Sequence, residues 1–202
     1  MSVTSAVQGA ASSSIDFSLD PHSGLSVTIK TANLTMRSVM EADLEHYLPL
    51  YSNPDVMTKF ADGKVRTRDQ VAARIKTLCE RWQNNDPYSG FTVFTRNSGE
   101  FVGSVLLGHG DNSGEAELAG LGLPSFWSKG YGTEAATALV KEYAPATLAQ
   151  KYTLKGKALE TITTTARTDN LASVAISKKL GMGIIATVEK YGATRHLFSV
   201  KL

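Results

Sequence analysis

The sequence lacks several features that would point to particular classes of protein. Its 202 residues include one cysteine, Cys79, so neither an intramolecular disulfide nor a CxxC metal or redox motif can form. No run of 18 apolar residues is present, and we expect no membrane span. A formal net charge of +2 argues against a nucleic-acid clamp or any similar polyanion-coating surface. What remains is an ordinary globular composition, 42% hydrophobic and 20% charged.

The first 32 residues differ from the rest in pattern. Residues 1–14 carry no charged side chain, no helix or strand period, and neither the basic region nor the apolar core of a secretory signal. We therefore predict a flexible tail and a cytoplasmic protein. Residues 15–32 are predicted to form an extension with one added strand, because strand-like residues 25–29 stand beside turn residues. Residues 33–202 are predicted to form one domain, since no linker or repeat divides them.

From residue 33 onward the hydrophobic pattern alternates between helix and strand periods. It predicts a strand, two helices, three strands, a helix, a strand, a helix and two strands, which is an α/β fold with a mixed sheet. Thr67, followed three residues later by Gln70, has the spacing of a helix capping box. No metal site is expected, because the four histidines lie far apart without ligand spacing: His22, His46, His109 and His196.

Residues 126–136 carry the strongest chemical signal. They read Phe-Trp-Ser-Lys-Gly-Tyr-Gly-Thr-Glu-Ala-Ala, a glycine-rich turn that contains Lys129 and leads directly into a predicted helix. The first N–H groups of a helix have no internal partners, and the helix dipole is positive there. This pattern predicts an anion site, most naturally for a pyrophosphate. A plain strand-to-helix connection is the alternative.

Two nucleotide-binding motifs fit this segment poorly. Gly130, Gly132 and Ala135 match the spacing of the dinucleotide fingerprint, but they follow four or five predicted strands instead of the first. Glu160 precedes the next strand instead of ending it. A Walker loop would need a lysine between Gly132 and Thr133. A nucleotide-binding protein that uses this loop in another way stays open as an alternative.

Residues 117–135 and 170–182 resemble two motifs of the GNAT superfamily of acyl-CoA N-acyltransferases. The first reads Glu-Leu-Ala-Gly-Leu-Gly-Leu-Pro-Ser-Phe-Trp-Ser-Lys-Gly-Tyr-Gly-Thr-Glu-Ala and is most similar to the RimJ/RimL-type branch of ribosomal-protein N-terminal acetyltransferases. The second reads Asn-Leu-Ala-Ser-Val-Ala-Ile-Ser-Lys-Lys-Leu-Gly-Met. Residues 53–57, Asn-Pro-Asp-Val-Met, match a further element of that branch. The resemblance covers roughly residues 30–202.

The resemblance implies a GNAT-like α/β fold. Its mixed, mostly antiparallel central sheet would have about seven strands, splayed at the cofactor site, and about four flanking helices. Acetyl-CoA would lie in the splay without any metal. Its pyrophosphate would bind the loop residues Lys129, Gly130, Tyr131, Gly132 and Thr133. Its pantetheine arm would meet the backbone of Leu121, Gly122 and Leu123 and the side chain of Asn170. The glycines Gly120 and Gly122 agree with an accessible, bulged strand.

The implied reaction is transfer of an acetyl group from acetyl-CoA to a primary amine by direct attack in a ternary complex. The acceptor would be a peptide N-terminus or a small amine. Such amines are mostly protonated at neutral pH, so a base is needed. Glu117 matches the motif glutamate and is the candidate base, directly or through water, with His109 as an alternative. Ser173 is the candidate proton donor to the leaving thiolate, because Ser177 stands where many members have tyrosine.

Several features bear on the acceptor and on partners. Ala119-Gly120 replaces a Gly-Tyr pair of the branch, and this lost aromatic together with the missing tyrosine at Ser177 leaves open a non-catalytic acyl-CoA-binding module of the same fold. Residues 145–160 are longer and more basic than usual, which leaves open an added lobe or a partner surface. Homodimers are common in the family, although no segment here identifies an interface. Residues 129–202 carry a formal charge of +6 against −4 for residues 1–128. We therefore expect CoA on the basic half and the amine near the acids Asp111, Glu115 and Glu117.

Overall fold

The computed structural model describes residues 13–202, a part of the chain with eleven strands, nine of which form one sheet. The strands are β1 (Ser14–Asp20), β2 (Gly24–Lys30), β3 (Leu34–Ser38), β4 (Gly90–Thr95), β5 (Phe101–His109), β6 (Glu115–Gly122), β7 (Thr153–Leu154), β8 (Lys157–Ala158), β9 (Thr161–Arg167), β10 (Gly183–Lys190) and β11 (Ala193–Lys201). The main sheet has the order β1-β2-β3-β4-β5-β6-β9-β11-β10, whereas β7 and β8 form a separate hairpin.

Six α-helices in the described part of the chain accompany the sheet. They are α1 (Leu44–Tyr51), α2 (Pro54–Met57), α3 (Arg68–Gln83), α4 (Tyr131–Ala138), α5 (Ala144–Ala149) and α6 (Leu171–Lys179), and a π-helical turn at Leu139–Tyr143 joins α4 to α5. The predicted capping box of α3 is confirmed, since Thr67 and Gln70 satisfy each other's backbone N–H groups. Cys79 is buried on the apolar stripe of α3, and burial raises the pKa of its thiol to about 11, as expected for an inert cysteine. No helix within residues 13–202 is long and apolar enough to cross a membrane.

The N-terminal extension forms two strands, where the sequence predicted one. β1 pairs with β2 along its whole length, and Asp20 turns the chain by accepting hydrogen bonds from the N–H groups of His22 and Ser23. The side chain of Phe17 in β1 stacks on Tyr143, with ring centroids 5.8 Å apart. These two strands extend the seven predicted for the domain to nine. The predicted flexible tail, residues 1–14, lies outside the described residues except for its last two, and Ser14 already belongs to β1.

The sheet separates two layers of helices. Thr92 and Phe91 are neighbours on β4 and point to opposite faces. The Thr92 hydroxyl lies 3.3 Å from the hydroxyl of Tyr47 in α1, whereas the Phe91 ring packs 5.1 Å from that of Tyr143 in the π-helical turn. Helices α1 and α3 therefore cover one face, and the segment from α4 to α5 covers the other.

The sheet splits between β6 and β9. These two strands are parallel and pair only where Glu115, Ala116 and Glu117 meet Thr161, Ile162 and Thr163. β6 then continues to Gly122, and β9 continues to Arg167, with no pairing between them. The resulting gap begins at Glu117 and opens toward the glycine-rich loop, so the predicted splay is confirmed.

Candidate active site

Hydrogen bonding fixes which residues of β6 expose their backbone to the splay. The N–H of Leu123 donates to the carbonyl of Val102, and the N–H of Gly110 donates to the carbonyl of Glu115, both at 2.9 Å. In an antiparallel ladder of this register, the odd-numbered residues of β6 bond to β5. The even-numbered residues therefore direct their N–H and C=O groups away from β5, into the gap.

Gly120 and Gly122 are the residues whose backbone faces the gap beyond the last pairing with β9. Leu121 and Leu123 do not offer theirs, because both are bonded to β5, and the prediction is corrected accordingly. The predicted bulge is also absent from β6, since its register with β5 runs without a shift. A Cβ at Gly120 would meet nothing closer than 3.4 Å, so glycine here leaves room for a ligand and is not required by a close protein contact.

The glycine-rich loop presents a row of free N–H groups. The first backbone bond of α4 runs from the N–H of Glu134 to the carbonyl of Gly130, at 3.0 Å. Within residues 13–202, the N–H groups of residues 129–133 have no hydrogen-bond acceptor. Ser128 and Gly130 both have a left-handed backbone, at φ 61° and 84°, which turns successive N–H groups toward the same side. This is the geometry of an anion site.

Two anchors hold this loop in place. The indole N–H of Trp127 donates to the carbonyl of Gly122 at 2.7 Å, which ties the loop to the end of β6. The carboxylate of Glu134 accepts hydrogen bonds from the hydroxyl of Thr31 and from the backbone and side-chain amides of Asn33. The Lys129 ammonium lies 4.8 Å above the Phe126 ring, exposed beside the free N–H groups. Glu134 is thus a structural residue of the motif that sequence reasoning did not assign.

Glu117 lies at the vertex of the splay. It is the last residue of β6 paired with β9, and its side chain is half-buried. Burial raises the pKa of its carboxyl, an effect opposed by the positive charges of Lys190 and Arg74. A carboxylate with a raised pKa is a better proton acceptor than an exposed one. No carboxylate-binding cation lies within 4.0 Å of Glu117 in the described part of the chain.

His109 cannot share the role of Glu117. In the register of β5 and β6, His109 stands opposite Ala116, and residues directly opposite each other point to the same face. Glu117 is adjacent to Ala116 and so points to the other face. The His109 imidazole instead pairs with Asp86 at 2.6 Å, and the alternative base is excluded.

The residues of the second motif lie at the start of α6. Asn170 is the N-cap, since its side-chain oxygen accepts a hydrogen bond from the N–H of Ser173. The hydroxyl of Ser173 is half-buried and has no protein partner within residues 13–202. Ser177, at the position of the missing tyrosine, is 3% exposed and donates to the carbonyl of Ser173 at 3.0 Å. Of the two serines, only Ser173 therefore has a hydroxyl free to act.

The basic loop of residues 151–157 lies away from the glycine-rich loop. The ammonium group of Lys155 donates to the carbonyls of Gly110 and Asp111, at the start of β6. The glycine-rich loop follows the other end of that strand, seven residues or about 24 Å farther on. The expectation that this loop adds charge to the CoA site is therefore wrong. Glu115 is also occupied, by hydrogen bonds from Asn112 and Thr163.

Comparison with known proteins agrees with this geometry. Residues 33–183 match the family model described as an acetyltransferase (GNAT) domain. The chain belongs to the GNAT acetyltransferase family. Comparison with curated proteins finds no match.

Solved structures share the GNAT fold at low sequence identity. A GNAT-family acetyltransferase from Bacillus anthracis is 20% identical, with a TM-score of 0.69 over 86% of this chain and 98% of that one. An acetyltransferase from Salmonella typhimurium, described as modifying the N-terminal serine of ribosomal protein L7/L12, is 16% identical, with a TM-score of 0.65 over 85% and 96%. A RimL acetyltransferase in complex with coenzyme A is 16% identical, with a TM-score of 0.67 over 85% and 96%.

Two features of this GNAT domain on the α1 and α3 face had no clear sequence signal. A cavity beside β6 is lined by Tyr51, Phe60 and Arg74. Arg74 lies three residues after Val71 and four before Leu78, both of which are buried, so it occupies the edge of the apolar stripe of α3. In the sequence, the only sign of this feature is the charge of Arg74 at the edge of an otherwise apolar stripe. No group of three or more His, Cys, Asp or Glu residues in the described part of the GNAT domain could hold a metal ion.

The left-handed backbone at Gly130 leads to a testable prediction. Gly130→Ala is expected to destabilise the domain by about 1–2 kcal/mol, because an L-residue disfavours this conformation, and to weaken acetyl-CoA binding by shifting the free N–H groups. Gly132→Ala is the matched control, since its Cβ would meet only Ile176 at 3.4 Å and its φ is not left-handed. Thermal unfolding and acetyl-CoA titration measure both effects. Equal losses in the two variants would contradict the prediction.

Proposed function

We propose that this GNAT domain transfers the acetyl group of acetyl-CoA to a primary amine by direct attack in a ternary complex. The observation that carries the proposal is the presence of free backbone groups in two neighbouring places, the glycine-rich loop and the side of β6 that faces the gap. The N–H groups of residues 129–133 have no protein acceptor within residues 13–202. The N–H and C=O of Gly120 and the N–H of Gly122 face the gap, whereas the Gly122 carbonyl is held by Trp127. A long ligand with a diphosphate at one end and an amide-containing arm fits that arrangement.

Each loop residue has a proposed part in holding acetyl-CoA. The N–H groups of Lys129, Gly130, Tyr131, Gly132 and Thr133 would bind the pyrophosphate, assisted by the positive end of α4 and the Lys129 ammonium. The pantetheine arm would pair with Gly120 and Gly122 as an added strand pairs with a sheet edge. Asn170 would approach the same arm with its amide N–H₂ group, because its oxygen caps α6.

The proposed chemistry needs one base and one acid. The amine nitrogen forms a bond to the thioester carbonyl carbon, and the carbon–sulfur bond breaks to release CoA thiolate. Glu117 accepts the amine proton, directly or through a water molecule, and the free hydroxyl of Ser173 gives a proton to the thiolate. Ser173 then regains a proton from solvent. Because the thioester supplies the driving force, no metal or redox partner takes part.

The amine class is a peptide N-terminus or a small amine. The Salmonella acetyltransferase of the same fold is described as acting on an N-terminal serine, which supports the first of these. The availability of acetyl-CoA in the cytoplasm makes that compartment the proposed location.

A thiol-release assay tests the proposal. Protein, acetyl-CoA and a panel of peptides and small amines are mixed, and free CoA thiol is followed over time, with mass spectrometry of the acceptor. We expect thiol release that depends on both the protein and the amine. Stabilisation by acetyl-CoA without thiol release across the panel would favour a non-catalytic acyl-CoA-binding module. The observation that favours such a module is that Ser177, which stands in the place of the usual tyrosine, is buried. Stabilisation by ATP or NAD but not by CoA would favour a nucleotide-binding protein.

Ser173→Ala separates the proposed acid from a binding residue. The variant is expected to lose about 10²-fold in kcat, the lower end of the range for a positioned acid, since an unassisted thiolate leaves more slowly, with little change in acetyl-CoA affinity. Ser177→Ala is the control, because its hydroxyl is bound to the helix backbone. Unchanged turnover in Ser173→Ala would remove this residue from the mechanism.

A further inference from the structure

A cavity lies on the α1 and α3 face of the sheet, over the segment of β6 that begins two residues after the proposed base. Its walls are the side chains of Tyr47, Tyr51, Phe60 and Arg74, and its floor is residues 119–121 of β6. An adjoining pocket continues past Phe60 and Arg74 toward Arg66. Glu117 points to the same face as Ala119 and Leu121, because alternate residues of a strand share a face. We name this space the acceptor cavity, since Arg74, which lines it, is close enough to Glu117 for its positive charge to oppose the rise in the pKa of that carboxyl.

Arg74 brings an unneutralised positive charge to this cavity. Its Nε–H donates to the hydroxyl of Tyr51 at 2.9 Å, which fixes the plane of the guanidinium beside the Tyr51 ring. The two terminal NH₂ groups make no hydrogen bond, and no carboxylate lies within 4.0 Å of them, in the part of the chain that the structure describes. The side chain is half-buried, so this cation has lost part of its hydration without gaining an anion.

The other cation of the cavity is already paired. Arg66 forms an ion pair with Asp62 and also donates to the carbonyl of Lys64. Arg74 differs because Tyr51 holds its guanidinium in place and its two terminal NH₂ groups face the acceptor cavity. A planar guanidinium in this state matches a carboxylate, which it can bind through two parallel hydrogen bonds. A second cationic group in the same cavity would be repelled.

We propose that Arg74 binds a carboxylate of the acceptor, so that the substrates are primary amines that also carry a carboxylate close to the amine. The inference rests on the proposed acetyl transfer. The amine then lies at Glu117 and the carboxylate at Arg74, with the apolar part of the acceptor against the Tyr51 and Phe60 rings, which contact each other edge to face. A free amino acid and a peptide with an acidic residue near its N-terminus share this chemistry. Polyamines and other polycations are disfavoured.

Matched acceptors test the preference. The first set is phenylalanine, phenylalaninamide and phenethylamine, which keep the amine and the ring but differ in the carboxylate. The second set is the amidated peptides Ser-Asp-Ala and Ser-Asn-Ala, which differ only in the acidic side chain. We expect kcat/KM to be roughly 10- to 100-fold higher for the carboxylate member of one set, because charged hydrogen bonds contribute at that level. The set that shows the difference identifies the source of the carboxylate.

Variants on α3 assign the preference to Arg74. Arg74→Met should raise KM for the carboxylate acceptors by a similar factor and leave KM for the neutral acceptors unchanged. A change in kcat that comes from the Arg74 charge near Glu117 should be the same for both kinds of acceptor. Arg74→Lys should recover only part of the preference, since an ammonium lacks the fork. Lys76→Met is the matched control, because Lys76 is exposed on the same helix. Thermal unfolding of each variant shows whether the loss of the Tyr51 contact has disturbed the fold.

A binding measurement keeps this inference separate from the proposed function. N-acetylphenylalanine carries the carboxylate but cannot be acetylated again, so its binding with CoA present is titrated by calorimetry in wild type and Arg74→Met. Turnover without a carboxylate preference would overturn the role of Arg74 and keep the transferase. Carboxylate binding that Arg74→Met abolishes, without turnover of any amine, would support the site and overturn the transferase. If N-acetylphenylalanine does not bind and neither acceptor set shows a carboxylate preference, the inference is overturned.

Discussion

Glu117→Gln is expected to lower kcat by about 10²- to 10⁴-fold, the range typical of removing a positioned general base. Glutamine keeps the size and the place of the side chain at the vertex of the splay but cannot accept a proton at neutral pH. Acetyl-CoA affinity should stay within about twofold, because Glu117 points to the face opposite the segment from α4 to α5. Steady-state kinetics with the best amine of the panel and acetyl-CoA titration measure the two quantities.

The same substitution is expected to stabilise the fold at neutral pH. Burial raises the pKa of Glu117, so the folded state disfavours the ionised form, and this cost is present above the folded pKa. Below the unfolded pKa of a glutamate, about 4.3, both states are protonated and the cost vanishes. The melting temperature of Glu117→Gln should therefore exceed that of the wild type at pH 8 and match it near pH 4.

The control for both effects is Glu80→Gln, an exposed glutamate of α3. It should leave kcat and the pH dependence of stability unchanged. If Glu117→Gln retains full kcat at pH 7, the base is a water molecule held by other groups. If its melting temperature falls at pH 8, the half-buried carboxylate has a favourable partner that the structure does not contain.

Local chemistry explains why much of the fold was predictable. The stripe of Val71, Ile75 and Leu78 repeats at helical spacing, and Thr67 with Gln70 marks where that helix begins. The mixed, mostly antiparallel sheet and its splay came from resemblance, since alternation identifies strands without saying which ones pair. The second N-terminal strand was missed although Ile15, Phe17 and Leu19 alternate with polar residues. Its pairing with β2 depends on the turn at residues 20–24.

The candidate site was predictable in its location and less so in its details. The glycine-rich loop before a helix indicates an anion site from spacing alone, and the structure has the free N–H groups there. Which backbone groups of β6 face the splay depends on its register with β5. If the register shifted by one residue, the backbone of Leu121 would face the splay in place of that of Gly120, and no pattern in the sequence sets this register. Arg74 comes to the acceptor cavity from a helix about 40 residues earlier in the chain than β6, through tertiary packing.

Asp43→Ala is expected to destabilise the domain by about 3–5 kcal/mol, the usual cost of breaking a buried ion pair. Asp43 is 2% exposed and accepts four hydrogen bonds, two from Arg37 at 2.6 and 2.8 Å, one from the N–H of Met40 and one from the hydroxyl of Thr92. Removing the carboxylate leaves these donors without a partner. For a chain of this length, the melting temperature should fall by roughly 6–20 °C.

The pH dependence follows from the same contacts. Burial by itself would raise the pKa of Asp43, but the hydrogen bonds from Arg37, Met40 and Thr92 outweigh it and lower the pKa. Its contribution to stability is therefore fully present above the unfolded pKa of an aspartate, about 3.9, and is lost as the pH falls through the folded pKa. Wild type and Asp43→Ala should differ most near neutral pH and converge in acid.

A double-mutant cycle with Arg37→Met shows whether the ion pair is the cause. Arg37→Met alone leaves a buried carboxylate without its cation and should be severe, whereas the same change on the Asp43→Ala background should cost much less. Additive losses would mean that the two residues stabilise the domain independently. Asp43 directly precedes α1, and Tyr47 and Tyr51 of that helix line the acceptor cavity. In Asp43→Ala protein that is still folded at low temperature, amine KM should rise more than acetyl-CoA affinity falls, because the splay backbone and the glycine-rich loop do not depend on this pair.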